Sequence, residues 1–390
     1  MKVIGSWTFT QRHTMGRPGA TDCGMAYLLG LQRLGHEVFL FEEVEPDRVW
    51  GPNYEKVMFD GWHGRRHFEA VARDYGLWPR CCLIYNQGEA THGMTMADAV
   101  RVAKECDLLL DVGCFLRTPE IIGNARRRAY VDETPAKTQA FVSEYGIDQG
   151  FAVHDWFFTV GLNVGTARGD VPDCGLSWHG IVHPVVLDQW PARVNPSCRS
   201  FTTISNWASK ETFNLNGRYS GEKSDQWLRL LALPRRTSQP IEVALNVAPG
   251  YDGDLRQFTE NGWIVTDPRR MRTLDDYREY IAASRGEFSI GNNRYVQFRT
   301  GWTSDRSARY LASGKPVLVQ STGFEDVLPT GEGLVSFHTL EDAVVALEGI
   351  NRDYLRHCRA ARAIAEEHFD ATKVLGRMLE VMELPVRARA

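Results

Sequence analysis

The sequence predicts an α/β protein built from two domains, and three observations lead to that prediction. At 390 residues the chain is longer than the roughly 250–300 residues at which a single hydrophobic core stops growing. Apolar runs typical of buried strands alternate with helical patterns in both halves of the chain. A stretch from about 175 to 200, rich in Pro, Trp and turn-forming residues, separates the halves and is expected to hold the linker.

The composition is that of an ordinary globular protein, and it disfavours several other classes. Hydrophobic residues make up 43% and charged residues 24% of the chain, and the formal net charge is −4. A weakly acidic chain has no electrostatic reason to bind nucleic acid or an anionic membrane, and the basic runs at 126–128 and 269–270 are short. No apolar stretch approaches the roughly 18 residues of a membrane helix, and because the first strand is predicted to begin at Met1, no signal peptide is expected. A cytoplasmic protein is therefore expected.

The eight cysteines are expected to be reduced and mostly buried. They form no C-x-x-C pair, and their spacing matches no zinc site. The adjacent Cys81 and Cys82 are interpreted as part of a strand. The sequence therefore predicts no bound metal.

The first half follows a repeating order of strand, loop and helix. A short strand at 2–5 precedes a polar loop to about residue 19, and apolar residues at helical spacing then predict a helix over 23–34. Thr21 or Asp22 is the expected N-cap, and Gly35 the expected end. A strand at 37–41 completes a βαβ unit, which requires a parallel sheet. Further strands are predicted at 82–85, 107–112, 129–131 and 156–160, with a helix at 97–105.

The second half restarts the alternation. Its predicted strands lie at 201–205, 241–247, 287–290, 316–320 and 334–337, and its helices at 225–232, 274–283 and 304–313. Three more helices, at 340–350, 351–368 and 371–383, end the chain. In open parallel sheets ligands bind outside the carboxyl ends of the strands, so the site is expected in the cleft between the domains.

Passages of the second half resemble a known superfamily. The segment 301–319, with Ala312-Ser313-Gly314-Lys315-Pro316-Val317, resembles the donor half of GT-B glycosyltransferases, where a helix ends in Ala-x-Gly-x-Pro-Val. The passage 321–335 is similar to the one that follows in those enzymes, and the tail with Ala360-Ala361-Arg362 and Phe369 is similar to theirs. As a whole the chain resembles a little-characterised bacterial branch related to family 1 and family 4 glycosyltransferases.

The resemblance implies two Rossmann-like domains facing across a cleft, with C-terminal helices. Residues 1–185 would bind the acceptor, 186–368 would bind the nucleotide-sugar donor, and 369–390 would form a helix packing back on the first domain. The implied reaction moves a sugar from the donor to a small-molecule or carbohydrate acceptor, in a monomer or homodimer. No cofactor or metal is implied, because such enzymes balance the diphosphate charge with a helix terminus and basic side chains, and no Asp-x-Asp motif is present.

The segment leading into the helix at 304–313 is the main candidate for donor binding. A helix N-terminus offers unpaired N–H groups and a partial positive charge, and a glycine before it lets a diphosphate approach the backbone. Thr303 or Ser304 would cap the helix, and Arg306 and Arg309 would share one face. An ordinary capped helix with solvated arginines is the alternative. The resemblance implies donor contacts from Gly301, Trp302, Thr303, Ser304, Arg306, Thr322, Gly323 and Glu325.

One departure from the family pattern concerns two glutamates that the retaining enzymes place around this helix. The corresponding positions hold Gly301 and Arg309. A basic residue cannot hold the donor ribose as the second glutamate does, and the replacement candidates are Glu325, Asp326 and Glu287. The stereochemical outcome and the donor nucleotide stay open.

A second donor element is predicted after the first strand of the second half. The resemblance implies an Arg and a Lys there that neutralise the diphosphate, and Arg218 and Lys223 are the candidates. A positive charge beside the leaving group stabilises the negative charge that develops in the transition state. The alternative is that both are surface residues of a polar loop.

Transfer usually needs a base that takes the proton of the acceptor, and the first domain is expected to supply it. His13 and Asp22 lie in the first loop, where inverting relatives often keep a histidine; Asp132 directly follows a strand, and His154 stands beside Asp155. For each of them a helix cap, a surface histidine or a buried hydrogen-bonded group is the alternative. Capping alone explains Asp22.

Three other functions compete with glycosyl transfer. An epimerase of the same fold would need carboxylates and histidines around the anomeric centre, and the second-half motifs are poor in them. A non-catalytic sugar-nucleotide-binding protein is suggested by the missing glutamates. A dehydrogenase is disfavoured, because Gly16, Gly19 and Gly24 do not form G-x-G-x-x-G after the first strand.

Overall fold

The protein is described by a computed structural model that covers residues 1–11, 14–113, 115–208, 211–247 and 252–386. Within these residues the first half forms an eight-stranded sheet. Its strands are β1 (Lys2–Ser6), β2 (Glu37–Val44), β3 (Cys81–Tyr85), β4 (Ala90–Gly93), β5 (Leu108–Val112), β6 (Arg128–Asp132), β7 (Trp156–Thr159) and β8 (Trp178–Gly180). The spatial order is β4-β3-β2-β1-β5-β6-β7-β8, and only β4 runs antiparallel to its neighbour.

Helices cover both faces of this sheet, as parallel strands require. They are α1 (Pro18–Arg33), α2 (His63–Asp74), α3 (Met96–Glu105), α4 (Pro119–Ile122) and α5 (Lys137–Ser143). The register places Ile4 of β1 between Phe39 of β2 and Leu109 of β5 in a fully apolar layer.

The second half forms a parallel sheet of six strands among the described residues, plus a two-stranded hairpin. The strands are β9 (Phe201–Asn206), the hairpin β10 (Asn214–Leu215) and β11 (Arg218–Tyr219), β12 (Ile241–Asn246), β13 (Ile264–Thr266), β14 (Gly286–Ser289), β15 (Val317–Gln320) and β16 (Leu334–Phe337). The order is β13-β12-β9-β14-β15-β16. The helices are α6 (Lys223–Leu230), α7 (Asp252–Glu260), α8 (Leu274–Ala282), α9 (Asn293–Gln297) and α10 (Asp305–Ala312).

Three helices follow the second sheet: α11 (Leu340–Arg352), α12 (Tyr354–Ile364) and α13 (Ala371–Val381). The helix predicted at 351–368 is confirmed from Tyr354 onward, with a last turn at Ala365–Phe369 that is π-helical, whereas residues 351 and 352 belong to α11. The last helix, α13, packs on α1, where a Cβ on Gly30 would approach Leu375 Cδ1 to 2.4 Å. Beside it, the Val185 N–H donates to Phe369 O at 2.8 Å, and the Ala371 N–H donates to Val185 O at 2.9 Å.

The start of α1 differs from the prediction, and the difference moves a candidate site residue. The helix begins at Pro18, with Arg17 at the N-cap position, so Asp22 lies inside the helix. The prediction that Thr21 or Asp22 caps this helix is wrong. Pro at the first helical position was the signal, because its fixed φ suits that position and its missing N–H costs nothing there.

No described helix combines the length and apolar character needed to cross a lipid bilayer.

Candidate active site

The two sheets meet at the carboxyl ends of their strands, around Asn163 in the loop after β7. The Asn163 N–H donates to Thr300 O at 3.0 Å. Its side-chain amide donates to Arg299 O and Gly323 O at 3.1 and 3.0 Å. The loops that precede α10 and follow β15 are therefore fastened to the first half of the chain at the floor of the cleft.

Gly301 and Gly323, both predicted to contact the donor, lie against Asn163, where only glycine fits. Gly301 has φ +75°, and a Cβ there would approach the Asn163 backbone nitrogen to 2.9 Å. Gly323 has φ +87°, and its Cβ would approach Asn163 Nδ2 to 2.6 Å. Close approach of Asn163 therefore accounts for Gly301, and the expectation that this glycine also lets a diphosphate approach the backbone stays a prediction.

The N-terminus of α10 is built by the residues named in the sequence. Ser304 caps the helix, since its Oγ accepts from the Arg306 N–H at 3.2 Å. Thr322 holds the preceding loop, donating its hydroxyl to Trp302 O at 2.6 Å and accepting from the Gly301 N–H at 2.7 Å. Thr303 is buried, and Trp302 stacks on Tyr295 with ring centroids 4.4 Å apart. These contacts fix the helix terminus in one position.

Arg306 points back into the second half of the chain. Its Nε donates to Glu287 Oε1 at 2.5 Å, Nη1 to Ile204 O at 2.6 Å and Nη2 to Ser289 Oγ at 3.0 Å. The Glu287 side chain is fully buried, whereas that of Arg306 is 13% exposed. The guanidinium is therefore held rigidly between β9 and β14 at the edge of the cleft.

Arg309 does not share a role with Arg306, because it pairs across the cleft with Asp22. Its Nε donates to Asp22 Oδ2 at 2.7 Å, and both side chains are buried. Nη1 donates to Asp305 O at 3.0 Å, at the start of α10. Arg309 thus joins α10 to α1. Asp22 is engaged in this ion pair rather than free to accept a proton.

Lys223, at the start of α6, lies next to Arg306 inside the cleft. Burial, followed by repulsion from the Arg306 guanidinium, lowers the pKa of Lys223 to about 7, although Glu287 and Asp305 act in the opposite direction. Among the described residues its ammonium makes no hydrogen bond and no ion pair. A partly buried cation without an acceptor is a ready partner for an anion from outside the chain.

Arg218, the other predicted basic residue, has protein partners. Its Nη2 lies 3.1 Å from Asp170 Oδ2, with both side chains substantially exposed, and its guanidinium covers the Phe298 ring at 4.8 Å. These contacts join the β10–β11 hairpin to the loop after β7. Arg218 is therefore held by protein groups, whereas Lys223 is not.

Among the three carboxylates considered as ribose ligands, Glu287 and Glu325 each have one buried oxygen without a hydrogen-bond partner among the described residues, and Glu325 is the one of these two that is not paired with an arginine. Glu287 is bound by Arg306, and Asp326 accepts from Arg299 at 3.1 Å. Glu325 accepts from the Ser321 hydroxyl through Oε1, while its buried Oε2 has no hydrogen-bond partner among the described residues. A buried acceptor without a donor is suited to a hydroxyl group supplied by a ligand.

Asp132 ends β6 and is saturated by its own surroundings. Its two oxygens accept four hydrogen bonds, from the Thr134 N–H, the Thr138 hydroxyl, the Gln139 amide and the Thr159 hydroxyl, at 2.6 to 3.1 Å. Burial raises the pKa of Asp132, and the hydrogen bonds act against that rise. The side chain organises the loop after β6 and has no lone pair directed at the cleft.

His154, like Asp132, is buried and contacts only protein groups among the described residues. Its Nδ1 lies 2.7 Å from Gly150 O, and its Nε2 lies 3.4 Å from Asp111 Oδ2, with both side chains fully buried. The predicted partner Asp155 instead binds Arg128 at 2.9 Å. The fourth predicted base, His13, lies outside the described residues.

The structure brings together three residues that the sequence prediction missed. Glu133 follows β6 directly, His183 follows β8, and Cys23 lies on α1. Tyr27 donates its hydroxyl to Glu133 Oε1 at 2.6 Å, and His183 Nδ1 lies 3.3 Å from Glu133 Oε2 and 3.7 Å from Cys23 Sγ. The only sequence signal was the pair Asp132-Glu133 after a strand, where successive side chains point to opposite sides.

Asp305, the first residue of α10, faces this group from the other half of the chain. Burial would raise the pKa of Asp305, but Arg309, His183 and Arg306 together lower it. Asp305 also interacts electrostatically with Cys23 and Glu133. The cleft therefore has basic groups on its second-half side and a thiol, imidazole and carboxylate on its first-half side.

The fold is similar to those of several solved structures, two of which contain UDP. HepE of Anabaena, in complex with UDP and glucose, gives a TM-score of 0.54 at 12% identity over 98% of this chain and 99% of that chain. An alpha-glucosyltransferase in complex with UDP gives 0.58 at 9% identity, with 98% and 99% covered. Sucrose-phosphate synthase of Thermosynechococcus elongatus gives 0.54 at 10% identity, with 98% of each chain covered.

No protein-family model and no curated protein matches the sequence. Identities of 9 to 12% carry the fold and no more. On that basis the chain has the GT-B architecture of the glycosyltransferases it resembles, with two α/β halves facing each other across a cleft.

Proposed function

We propose that this protein is a glycosyltransferase that moves a sugar from a nucleotide-sugar donor to a small-molecule or carbohydrate acceptor. The observation that carries the proposal is Lys223, a partly buried ammonium beside Arg306 that has no acceptor among the described residues. A diphosphate is an anion of the right kind to occupy this position. The GT-B architecture and neighbours solved with UDP support the same assignment.

In this proposal Lys223 and the N-terminus of α10 neutralise the diphosphate as the sugar leaves. Arg306 is already held by Glu287, Ile204 and Ser289, so it contributes a fixed positive charge with little reorganisation. Such an arrangement needs no bridging cation for the leaving group. EDTA is therefore expected to leave the transfer rate unchanged, and loss of activity restored by magnesium would contradict this part of the proposal.

Glu325 is proposed to accept a hydrogen bond from the donor ribose. Its unpartnered Oε2 lies at the carboxyl end of β15 and takes the place of the family glutamate that is Arg309 here. This assignment leaves Arg309 free for its ion pair with Asp22.

The acceptor is proposed to bind on the first-half side of the cleft, with His13 as the base. Of the four predicted bases, Asp22, Asp132 and His154 are engaged by protein groups. His13→Ala is therefore expected to abolish turnover and to leave nucleotide affinity unchanged, and full activity in this variant would remove His13 from the proposal.

The proposal is tested by calorimetric titration of the purified chain with UDP, GDP, ADP, CDP and dTDP. One of these is expected to bind with micromolar affinity. Lys223→Ala is expected to weaken that affinity about 10- to 100-fold, because a hydrogen bond to a charged group contributes about 1.5–3 kcal/mol. Lys104→Ala, an exposed lysine on α3, is the matched control and should bind as the native chain does.

The other outcomes separate the competing functions. No binding of any nucleotide would overturn the proposal. Binding without turnover on any acceptor, with the sugar nucleotide recovered unchanged, would favour a non-catalytic binding protein. Conversion of the sugar nucleotide in the absence of an acceptor would favour the epimerase.

A further inference from the structure

Three side chains of the first half place their donor atoms around one point at the cleft. They are Cys23 on α1, Glu133 directly after β6, and His183 after β8, and one ligand atom from each lies within 4.8 Å of the other two. Cys23 and the His183 ring are buried, and the Glu133 side chain is 15% exposed. Cys23 and Glu133 are 110 positions apart in the sequence, and Glu133 and His183 are 50 apart, so no short sequence motif identifies the group.

The arrangement does not suit a proton relay. In a thiol, imidazole and carboxylate relay, one ring nitrogen meets the thiol and the other meets the carboxylate. Here the same atom, His183 Nδ1, faces both Cys23 Sγ at 3.7 Å and Glu133 Oε2 at 3.3 Å. His183 Nε2 is buried and has no hydrogen-bond partner among the described residues. The three groups therefore converge instead of forming a chain.

Two separations between these atoms match those around a tetrahedral zinc ion, and the third, between Cys23 Sγ and the Glu133 carboxylate, is at most 4.8 Å. With usual zinc bond lengths, the sulfur and nitrogen ligands of one ion lie about 3.6 Å apart, and the nitrogen and carboxylate oxygen about 3.4 Å apart. The observed separations are 3.7 and 3.3 Å. A cation at this point needs little movement of the side chains.

The charges around the three side chains favour a cation. Glu133 and Asp305 are two carboxylates close to the Cys23 thiol, and the nearby Arg309 already pairs with Asp22. A cation would offset this excess of negative charge. Tyr27 donates to Glu133 Oε1, which leaves Oε2 directed at His183 and is the type of outer contact that orients a metal ligand.

We propose that Cys23, Glu133 and His183 bind one divalent cation of the zinc class. Thiolate, imidazole and carboxylate together suit Zn²⁺, whereas Mg²⁺ and Ca²⁺ prefer oxygen ligands. Three protein ligands leave a fourth position for water. All three ligands come from the first half of the chain, whereas the proposed diphosphate contacts come from the second, so cation binding is independent of the proposed function.

The test uses the full chain, freed of metal by a chelator and titrated with Co²⁺ in the absence of nucleotide. A cobalt–thiolate charge-transfer band in the near ultraviolet is expected to grow to one equivalent and to disappear when Zn²⁺ is added. Cys23→Ser is expected to lose the band and to weaken cobalt affinity by about 100-fold or more, beyond the 10- to 100-fold effect of losing an outer contact. Cys198→Ser, a partly buried thiol near Ala282 O, is the matched control and should keep the band.

Absence of the band in the native chain, or a band of unchanged intensity in Cys23→Ser, overturns the proposal. Circular dichroism of the metal-free proteins shows whether Cys23→Ser has folded. If it has not, His183→Gln replaces it, with lost cobalt affinity expected and unchanged cobalt affinity overturning the proposal. Because the readout is absorbance without nucleotide, failure here leaves the proposed sugar transfer standing, and failure of nucleotide binding leaves the metal site standing.

Discussion

Lys223 gives the proposed donor site a pH dependence that can be measured without knowing the sugar. The pKa of Lys223 is about 7 in the ligand-free chain, whereas an unperturbed lysine has a pKa of about 10.4. Only the ammonium form attracts a diphosphate, so the apparent affinity follows the protonated fraction. That fraction is about nine-tenths at about pH 6 and about one-tenth at about pH 8.

The apparent dissociation constant for UDP is therefore expected to rise about tenfold between about pH 6 and about pH 8. The bound diphosphate raises the pKa of Lys223, because an opposite charge favours the charged form. Binding at about pH 8 should consequently take up about 0.9 proton per chain. Calorimetry in two buffers with different ionisation enthalpies measures this uptake directly.

Lys223→Arg is the matched variant, because its guanidinium stays protonated throughout this range. In this variant the proton uptake on UDP binding at about pH 8 should vanish, and the affinity for UDP should change little with pH above about pH 7. The titration of the UDP phosphate itself is common to both proteins and cancels in the comparison. The same pH profile in both proteins, or no proton uptake by the native chain, would refute the reasoning.

The lowered pKa also has a consequence for folding. Between about pH 7 and about pH 10 the unfolded chain holds a proton that folded Lys223 has released, so the contribution of this residue to stability rises with pH.

Three further predictions follow from the cleft contacts. Arg309→Ala leaves the Asp22 carboxylate buried and unpaired, so urea denaturation should show a free energy of unfolding lower by about 3–5 kcal/mol. A decrease below about 1 kcal/mol would mean that the pair is effectively solvated. Glu325→Gln should weaken nucleoside diphosphate binding about 10-fold, as measured by calorimetry. Asp326→Asn should leave this binding unchanged, because Asp326 is already bound by Arg299. Equal effects of the two substitutions would remove Glu325 as the ribose ligand. Gly301→Ala should lower the melting temperature, because Gly301 has a positive φ and Asn163 lies close to it. Gly349→Ala, in α11 with open space around the added methyl group, should raise the melting temperature. An unchanged melting temperature in Gly301→Ala would contradict the close packing of Gly301 against Asn163.

Much of the fold was predictable because buried parallel strands are nearly continuous apolar runs. The strands predicted at 37–41, 107–112 and 316–320 correspond to β2, β5 and β15, which all have a neighbouring strand on each side. Edge elements were missed for a physical reason. β4 has the sequence Ala-Thr-His-Gly and pairs on one side only, so it needs no apolar pattern. β8 has three residues within the region expected to be the linker.

The site was predicted only in part, because its chemistry depends on which faces the elements turn to the cleft. Ser304 was identified as a possible cap, since capping is local and readable from the sequence. The pairing of Arg309 with Asp22 could not be predicted, because the predicted helix began at residue 23 and left Asp22 outside it. In the structure α1 begins at Pro18 and includes Asp22. The grouping of Cys23 with His183 had no sequence signal, because it depends on loop ends that only the sheet order brings together.

The position of α13 affects how this chain can fold during synthesis. The surface of α1 around Gly30, near the start of the chain, is covered by Leu375 and its neighbours, near the end. Domains usually fold in the order in which they leave the ribosome. Here the first half has every strand of its sheet by residue 180 but lacks one wall of its core until the last helix emerges. Nascent chains stalled before α13 should therefore stay protease-sensitive around α1, and the two halves of the chain are expected to reach their folded state together.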